Sequence, residues 1–127
     1  MSISPQRQAE LLGLCCVSDV LTGLARELEH ARLLSLRVEQ SLCGMASSAQ
    51  QGDWLEDVQQ VDMLQQHLAA LRDFAAEIAR EPSAHVLVPI DKALRHVSLN
   101  ELRERLAGEI AEAGEAGVVA LFANADP

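Results

Sequence analysis

The feature that most constrains the fold is a long apolar seam in the first third of the chain. From residue 14 to residue 45, apolar side chains alternate at spacings of three and four for more than four heptads. This spacing aligns them along one stripe of an α-helix, as in a coiled coil. The stripe consists of Leu14, Val17, Leu21, Leu24, Leu28, Ala31, Ser35, Val38, Leu42 and Met45. The pattern predicts one helix from residue 5 to about residue 46, with Pro5 in its first turn.

A second amphipathic helix is predicted from residue 53 to about residue 80. The polar stretch 47–52 separates it from the first helix, and Asp53 with Glu56 forms a capping-box pattern. Pro82 requires the helix to end before it. Its apolar face comprises Trp54, Val58, Val61, Leu64, Leu68, Leu71, Ala75 and Ile78. Because the connection is short, residues 5–80 should pack as an antiparallel helical hairpin.

Two shorter helices are predicted within residues 89–113. The first begins after Pro89, and the second begins at Ser98, where Ser98 and Glu101 form another capping-box pattern. Residues 81–88 are predicted to be a loop whose apolar patch, residues 86–88, covers one end of the hairpin. Glycines at 114 and 117 are expected to end the last helix and leave a tail, residues 114–127. The expected fold is a single all-α domain.

The apolar surface of the first helix exceeds what one partner helix can cover. Leu33, Leu34 and Leu36 lie outside the seam. A monomer leaves little apolar surface in one continuous patch, so something must cover these residues. The C-terminal helices, a second copy of the chain in a dimeric four-helix bundle, or both are expected to do so.

Charge and composition restrict the class of partner and the compartment. The chain has 127 residues and a net charge of −9, which disfavours nucleic acids and anionic membranes and favours a protein partner. It contains no apolar run that could span a bilayer, and its start does not resemble a signal peptide. Its three cysteines are odd in number and lack metal-ligand spacing. A cytoplasmic protein without a metal site of its own is therefore expected.

Polar side chains on the second helix form the most distinctive candidate site. Asp62 and Gln66 lie one turn apart on roughly the opposite side from the apolar face, so their polar groups are within reach of each other. Gln59 and Asp73 lie near the same line along the helix, whereas Gln65 lies nearer the apolar face of the second helix. We expect exposed Asp62 and Gln66 above a buried set: Val61, Leu64 and Leu68.

The spacing of Asp62 and Gln66 resembles the DxxxQ element of the CheZ-type phosphatases of bacterial chemotaxis, which include the small CheT-like proteins. The resemblance covers mainly residues 54–80. It implies hydrolysis of the aspartyl phosphate on a CheY-like receiver domain of a response regulator, which supplies its own Mg²⁺. By this resemblance Gln66 orients the attacking water, Asp62 pairs with the receiver's lysine, and Gln59 belongs to the partner-binding surface. Such catalysis depends on positioning rather than covalent chemistry.

The last apolar segment carries a second resemblance. CheZ proteins end in a short amphipathic segment that docks on the receiver, and here Val118, Val119, Leu121 and Phe122 follow two glycines. These residues are candidates for receiver binding, and packing on the domain's own core is the alternative. The chain is shorter than CheZ, and its third and fourth helices match no CheZ motif.

Two other functions remain open. A histidine phosphotransfer module is also a helical bundle with an exposed histidine on a long helix, and His30 and His67 are the candidates. Neither has the flanking residues typical of phosphotransfer domains or of kinase dimerisation helices. A non-catalytic adaptor that binds a chemotaxis or signalling protein is the third possibility.

Overall fold

Two long antiparallel helices form the frame of the molecule. The structure, a computed structural model, describes residues 13–46 and 54–124. Helix α1 spans Val17–Ala46 and helix α2 spans Trp54–Ala79. The two helices pack against each other. The prediction of an all-α fold built on a long helical hairpin is therefore confirmed.

Hydrogen bonds join the two helices at two places along their contact. Ser18 Oγ on α1 donates to the carbonyl oxygen of Ala79 at 2.6 Å. Farther along, Gln65 Nε2 on α2 donates to Glu39 Oε2 on α1 at 2.7 Å. Between them Ala75 is buried, and such small side chains let two helices approach closely. These contacts hold α2 in a defined rotation relative to α1.

A third long helix, α4 (Asn100–Asn124), packs on another side of α1. A Cβ atom on Gly23 of α1 would lie 2.7 Å from Ile110 Cγ1 of α4. The missing side chain at Gly23 therefore permits the close contact, and Ile110 is buried. Helix α1 is thus the central element, with α2 and α4 on different sides.

A two-stranded antiparallel sheet replaces two predicted features. Strand β1 (Leu14–Cys16) pairs with strand β2 (Leu87–Pro89), with Cys15 opposite Val88. The predicted helix start is therefore wrong at residues 14–16, and the predicted loop at residues 86–88 is largely strand. Residues 5–12 lie outside the part of the chain that is described. The sheet joins segments more than 70 positions apart, which local periodicity does not detect.

The C-terminal region differs from its prediction at both ends of the last helix, which begins at Asn100 rather than at Ser98. A short helix, α3 (Asp91–Arg95), forms after Pro89 as expected. Helix α4, however, continues through both glycines to Asn124, so the predicted break after about Ala113 is wrong. A Cβ on Gly114 would lie 3.2 Å from Asp19 Oδ2 of α1. The glycine thus permits close packing on α1, which offsets its cost to the helix of about 1 kcal/mol relative to alanine.

Small residues dominate the core. In the described part of the chain the buried apolar residues are Ala25, Ala75, Ala79, Ala84, Ile110 and Ala113. Many larger apolar side chains on the hairpin remain exposed: Leu24, Leu33, Leu34, Val38, Leu55, Met63, Leu64, Leu71, Phe74 and Ile78. One chain therefore leaves much of its apolar surface uncovered.

Candidate functional site

Asp62 and Gln66 form a hydrogen-bonded pair on the surface of α2. Gln66 Nε2 donates to Asp62 Oδ2 at 3.2 Å, and both residues are exposed. The expected exposure of this pair is therefore confirmed. Its carboxylate and its amide oxygen are both accessible to a partner.

Gln65, the neighbouring glutamine, is oriented differently. It is half-buried, and its amide donates to Glu39 of α1. Successive helical side chains are about 100° apart, so the contact of Gln65 with α1 leaves Gln66 directed away from it. The two adjacent glutamines therefore have different roles: Gln65 contacts α1, whereas Gln66 faces solvent.

The expectation about the apolar face beneath this pair is only partly correct. Val61 and Leu68 are half-buried, but Leu64 is 49% exposed, so the prediction of its burial is wrong. Leu64 lies at the edge of the interface, where it lines an open groove together with Leu42 of α1. The helical period identifies the apolar side of α2 but not how much of that side α1 covers.

The outward face of α2 is acidic. Gln59 and Asp73 are exposed and lie within two turns of Asp62 and Gln66, respectively. Arg72 Nε donates to Asp73 Oδ1 at 3.1 Å, which partly neutralises that carboxylate. Glu56 in the first turn and Glu77 near the end of α2 add further exposed carboxylates. A cationic group of a partner would be attracted to this face.

The predicted docking segment belongs to a helix. The backbone of Val118, Val119, Leu121 and Phe122 continues α4, and their side chains lie outside what the structure describes. The glycines before this segment do not interrupt the helix. The segment is therefore a helical extension of α4, not a tail separated from it.

The two candidate histidines have different surroundings. His67 is exposed, and its Nδ1 lies 2.8 Å from the carbonyl oxygen of Met63. A carbonyl can only accept a hydrogen bond, so this contact requires the proton on Nδ1 and leaves Nε2 unprotonated in the neutral ring. His30 is half-buried and lines a groove between α1 and α4. His67 is therefore the more accessible of the two.

An ion network across the hairpin was not predicted from the sequence. Glu29 of α1 accepts hydrogen bonds from Arg32 Nε at 2.9 Å and Nη2 at 2.6 Å, and also from Arg72 of α2. These donors lower the pKa of Glu29 to about 2. The i,i+3 spacing of Glu29 and Arg32 could have indicated the local pair. Nothing in the local pattern indicated that Arg72 would join it.

In residues 13–46 and 54–124, no three His, Cys, Asp or Glu side chains are grouped so that they could hold a metal ion. No helix in the same residues is both long and apolar enough to cross a bilayer.

A family model described as "Domain of unknown function (DUF8776)" matches residues 15–122. The chain belongs to this family. The match runs from β1 into the last turns of α4, so the DUF8776 domain includes the Asp62–Gln66 pair, the sheet and all three long helices. No curated protein and no solved structure matches the chain.

Proposed function

We propose that this protein is a phosphatase that stimulates hydrolysis of the aspartyl phosphate on a CheY-like receiver domain. The observation that carries the proposal is the Asp62–Gln66 pair, exposed and hydrogen-bonded on the outward face of a helix whose rotation is set by α1. A positioning catalyst needs polar groups that are accessible and attached to a rigid element. The pair meets both requirements, and its spacing resembles that of the CheZ-type enzymes.

The hydrogen bond within the pair suggests how docking changes the site. In the free protein the Gln66 amide donates to Asp62. When Asp62 turns to a lysine of the receiver, it releases this amide. Gln66 can then bind a water molecule in line with phosphorus. The receiver supplies Mg²⁺, whose Lewis acidity stabilises the developing charge, so this chain needs no cofactor of its own.

The charge of the outward face supports the same arrangement. An ammonium group of the partner approaches an acidic surface around Asp62, where attraction assists encounter. Because exposed charges are screened by salt, the apparent affinity for the receiver should fall as ionic strength rises. We place this activity in the cytoplasm, where receiver domains act, and chemotaxis proteins are the expected partners.

The two adjacent glutamines provide a matched test. Phosphorylated receivers from the same organism are incubated in Mg²⁺ with wild-type, Gln66→Ala or Gln65→Ala protein, and the decay of the phosphoryl group is followed. Gln66→Ala should slow stimulated decay by about tenfold or more, as for loss of a positioning group, while folding is unchanged. Gln65→Ala should retain stimulation and lose a little stability. If Gln66→Ala stimulates as well as wild type, the proposal is wrong.

Histidine phosphotransfer remains a second candidate because of one observation. The exposed His67 has its Nδ1 occupied by the Met63 carbonyl, which leaves Nε2 as the nucleophilic nitrogen. In this case, radiolabelled phosphate should appear on this chain, His67→Ala should abolish the transfer, and Gln66→Ala should have no effect. If the protein binds receivers without altering decay or accepting label, it is an adaptor.

We also propose that the protein functions as a homodimer joined through the exposed apolar side of the hairpin. Leu71, Phe74 and Ile78 of α2 are between 40% and 67% exposed, and Leu24 and Val38 of α1 are 40% and 51% exposed. Leu64, Leu71 and Ile78 are seven residues apart, the repeat of helices that pack in bundles. Two hairpins that share these faces would form a four-helix bundle with self-complementary apolar surfaces.

The oligomeric state can be measured directly. Analytical ultracentrifugation should show a dimer in the micromolar range. Phe74→Glu, which places a charge in the proposed interface, should convert it to a monomer, whereas Gln59→Glu on the outward face should not. A wild-type monomer at high micromolar concentration would contradict the proposal.

A further inference from the structure

A groove between α1 and α2 brings together arginine side chains in an otherwise acidic protein. The groove, which has a volume of about 370 Å³, is lined by Arg26 of α1, by Arg72 of α2 and by Arg80, which directly follows α2. The whole chain has only 10 Lys and Arg residues against 19 Asp and Glu residues. Three arginines around one groove are therefore unusual in a chain with an excess of acidic residues, and they create a local site for an anion.

Two of these arginines have only weak partners within the protein. Arg26 Nη1 lies 4.0 Å from Glu112 Oε2, with the two side chains 41% and 74% exposed. Arg80 Nη1 lies 3.4 Å from Glu77 Oε1, and these two side chains are 78% and 66% exposed. Exposed pairs of this kind contribute little to stability and exchange readily with other anions. Both guanidinium groups can therefore bind an external ligand at little cost.

The third arginine shows that this region attracts negative charge. Arg72 donates to Glu29, the one carboxylate among the residues that line the groove, and Arg32 donates to the same carboxylate. These donors hold the pKa of Glu29 at about 2, well below its ordinary value of 4.5. Glu29 is already fully engaged by two arginines, so it does not neutralise Arg26 and Arg80.

We propose that this groove binds a phosphate monoester of a small organic molecule. The dianionic phosphate lies between Arg26 of α1 and Arg80, which directly follows α2, because guanidinium groups bind phosphate oxygens through paired hydrogen bonds. The organic part lies against the side chains of Ala25, Ala76 and Ala79, which also line the groove. The volume falls in the range of small-molecule sites, about 300–1,000 Å³, and is much larger than phosphate alone requires. This site does not depend on the proposed phosphatase activity.

Three simple anions distinguish the contribution of the phosphate charge to binding from the contribution of the organic ring. Phenyl phosphate, inorganic phosphate and benzenesulfonate are titrated into ¹⁵N-labelled protein at low salt, and the arginine Nε resonances are followed. Phenyl phosphate should bind most tightly and shift the Nε signals of Arg26 and Arg80. Inorganic phosphate lacks the ring, and benzenesulfonate carries one charge instead of two, so both should bind more weakly. If either one binds as tightly as phenyl phosphate, the site is not one for phosphate monoesters.

Charge-matched variants locate the binding. Arg80→Gln changes a highly exposed residue beyond the end of α2, so folding should be unaffected. Loss of one charge-assisted hydrogen bond should weaken phenyl phosphate binding by about tenfold or more. Arg95→Gln changes net charge equally, but Arg95 lies on α3 outside the groove, so the affinity should stay the same. Equal weakening by both variants, or no saturable binding at millimolar phenyl phosphate, would overturn the proposal.

Discussion

Arg105 of α4 forms a bidentate ion pair with Glu27 of α1. Its Nε donates to Glu27 Oε1 at 2.8 Å and its Nη2 donates to Oε2 at 3.0 Å. Glu27 is only 6% exposed, whereas the Arg105 side chain is about half exposed. The negative charge of the buried Glu27 carboxylate is thus compensated by the partly exposed guanidinium group of Arg105. This pair anchors the first half of α4 to the central helix.

Removing the Arg105 side chain should destabilise the packing of α4 on α1. Arg105→Ala leaves the buried Glu27 carboxylate without its two donors, so the free energy of unfolding should fall by about 2 kcal/mol. Urea denaturation at pH 7 and fixed protein concentration measures the loss. Arg103→Ala is the control, because the Arg103 side chain bonds to exposed Asn100 on the same helix, and its effect should stay below about 0.5 kcal/mol. Glu27→Gln in the Arg105→Ala background should recover part of the stability, because a neutral amide is easier to bury.

Glu109 should oppose folding at neutral pH. Burial and the nearby Glu27 raise its pKa, and its Oε2 atom is buried without a hydrogen-bond partner. A raised pKa means that the folded state binds the proton more tightly than the unfolded state, so the penalty appears as the pH rises through that pKa. Glu109→Gln should therefore stabilise the protein by about 1 kcal/mol at pH 7. The gain should disappear in acid, where the wild-type carboxyl is protonated.

Thermal unfolding at pH 7 and at pH 4 tests this pH dependence. Glu104→Gln, on the exposed side of the same helix, is the control for the general benefit of removing one negative charge from an acidic chain. An equal gain for the two variants would show that burial at Glu109 is not the cause.

The stability that Glu29 contributes should have the opposite pH dependence: it should increase as the pH rises. The hydrogen bonds from Arg32 and Arg72 lower its pKa to about 2 from an ordinary value of 4.5. Its contribution is complete above 4.5 and is lost as the pH falls towards 2, because the proton then competes with the arginines. In urea denaturation, the stability difference between wild type and Glu29→Gln should shrink across that interval. A ¹³C titration of the Glu29 carboxyl with a midpoint near 4.5 would contradict the network.

Two glycine substitutions should have opposite effects. In Gly23→Ala the new Cβ would lie 2.7 Å from Ile110 Cγ1 and 3.0 Å from the Ile110 backbone nitrogen, so α4 must shift away from α1. We expect a loss of about 1–3 kcal/mol, typical of overpacking. Gly108→Ala on α4 meets no atom within 4 Å and should stabilise the helix by about 1 kcal/mol. Denaturation of both variants under the same conditions measures the contrast, and a gain at Gly23 would refute the close approach.

Local sequence pattern accounts for most of the helical frame. The three-four spacing predicted the hairpin, and the polar stretch and Pro82 placed the ends of α1 and α2 close to Ala46 and Ala79. The same period separated exposed Gln66 from Gln65, which contacts α1. These results depend on neighbours within four residues, so one sequence contains the necessary information.

Contacts between distant segments required the tertiary structure. The pairing of β1 with β2, the helical continuation through Gly114 and the binding of Glu29 by Arg72 all join residues that no local period relates. Exposure of Leu64 belongs to the same class, because the apolar stripe of α2 is wider than the face that α1 covers. The sequence by itself thus determined which segments are helical and which side of each helix is apolar, since those properties follow from spacing along the chain. Only the tertiary structure decided which sides meet and which charged groups they bring together, because that depends on how side chains from distant segments fit in space.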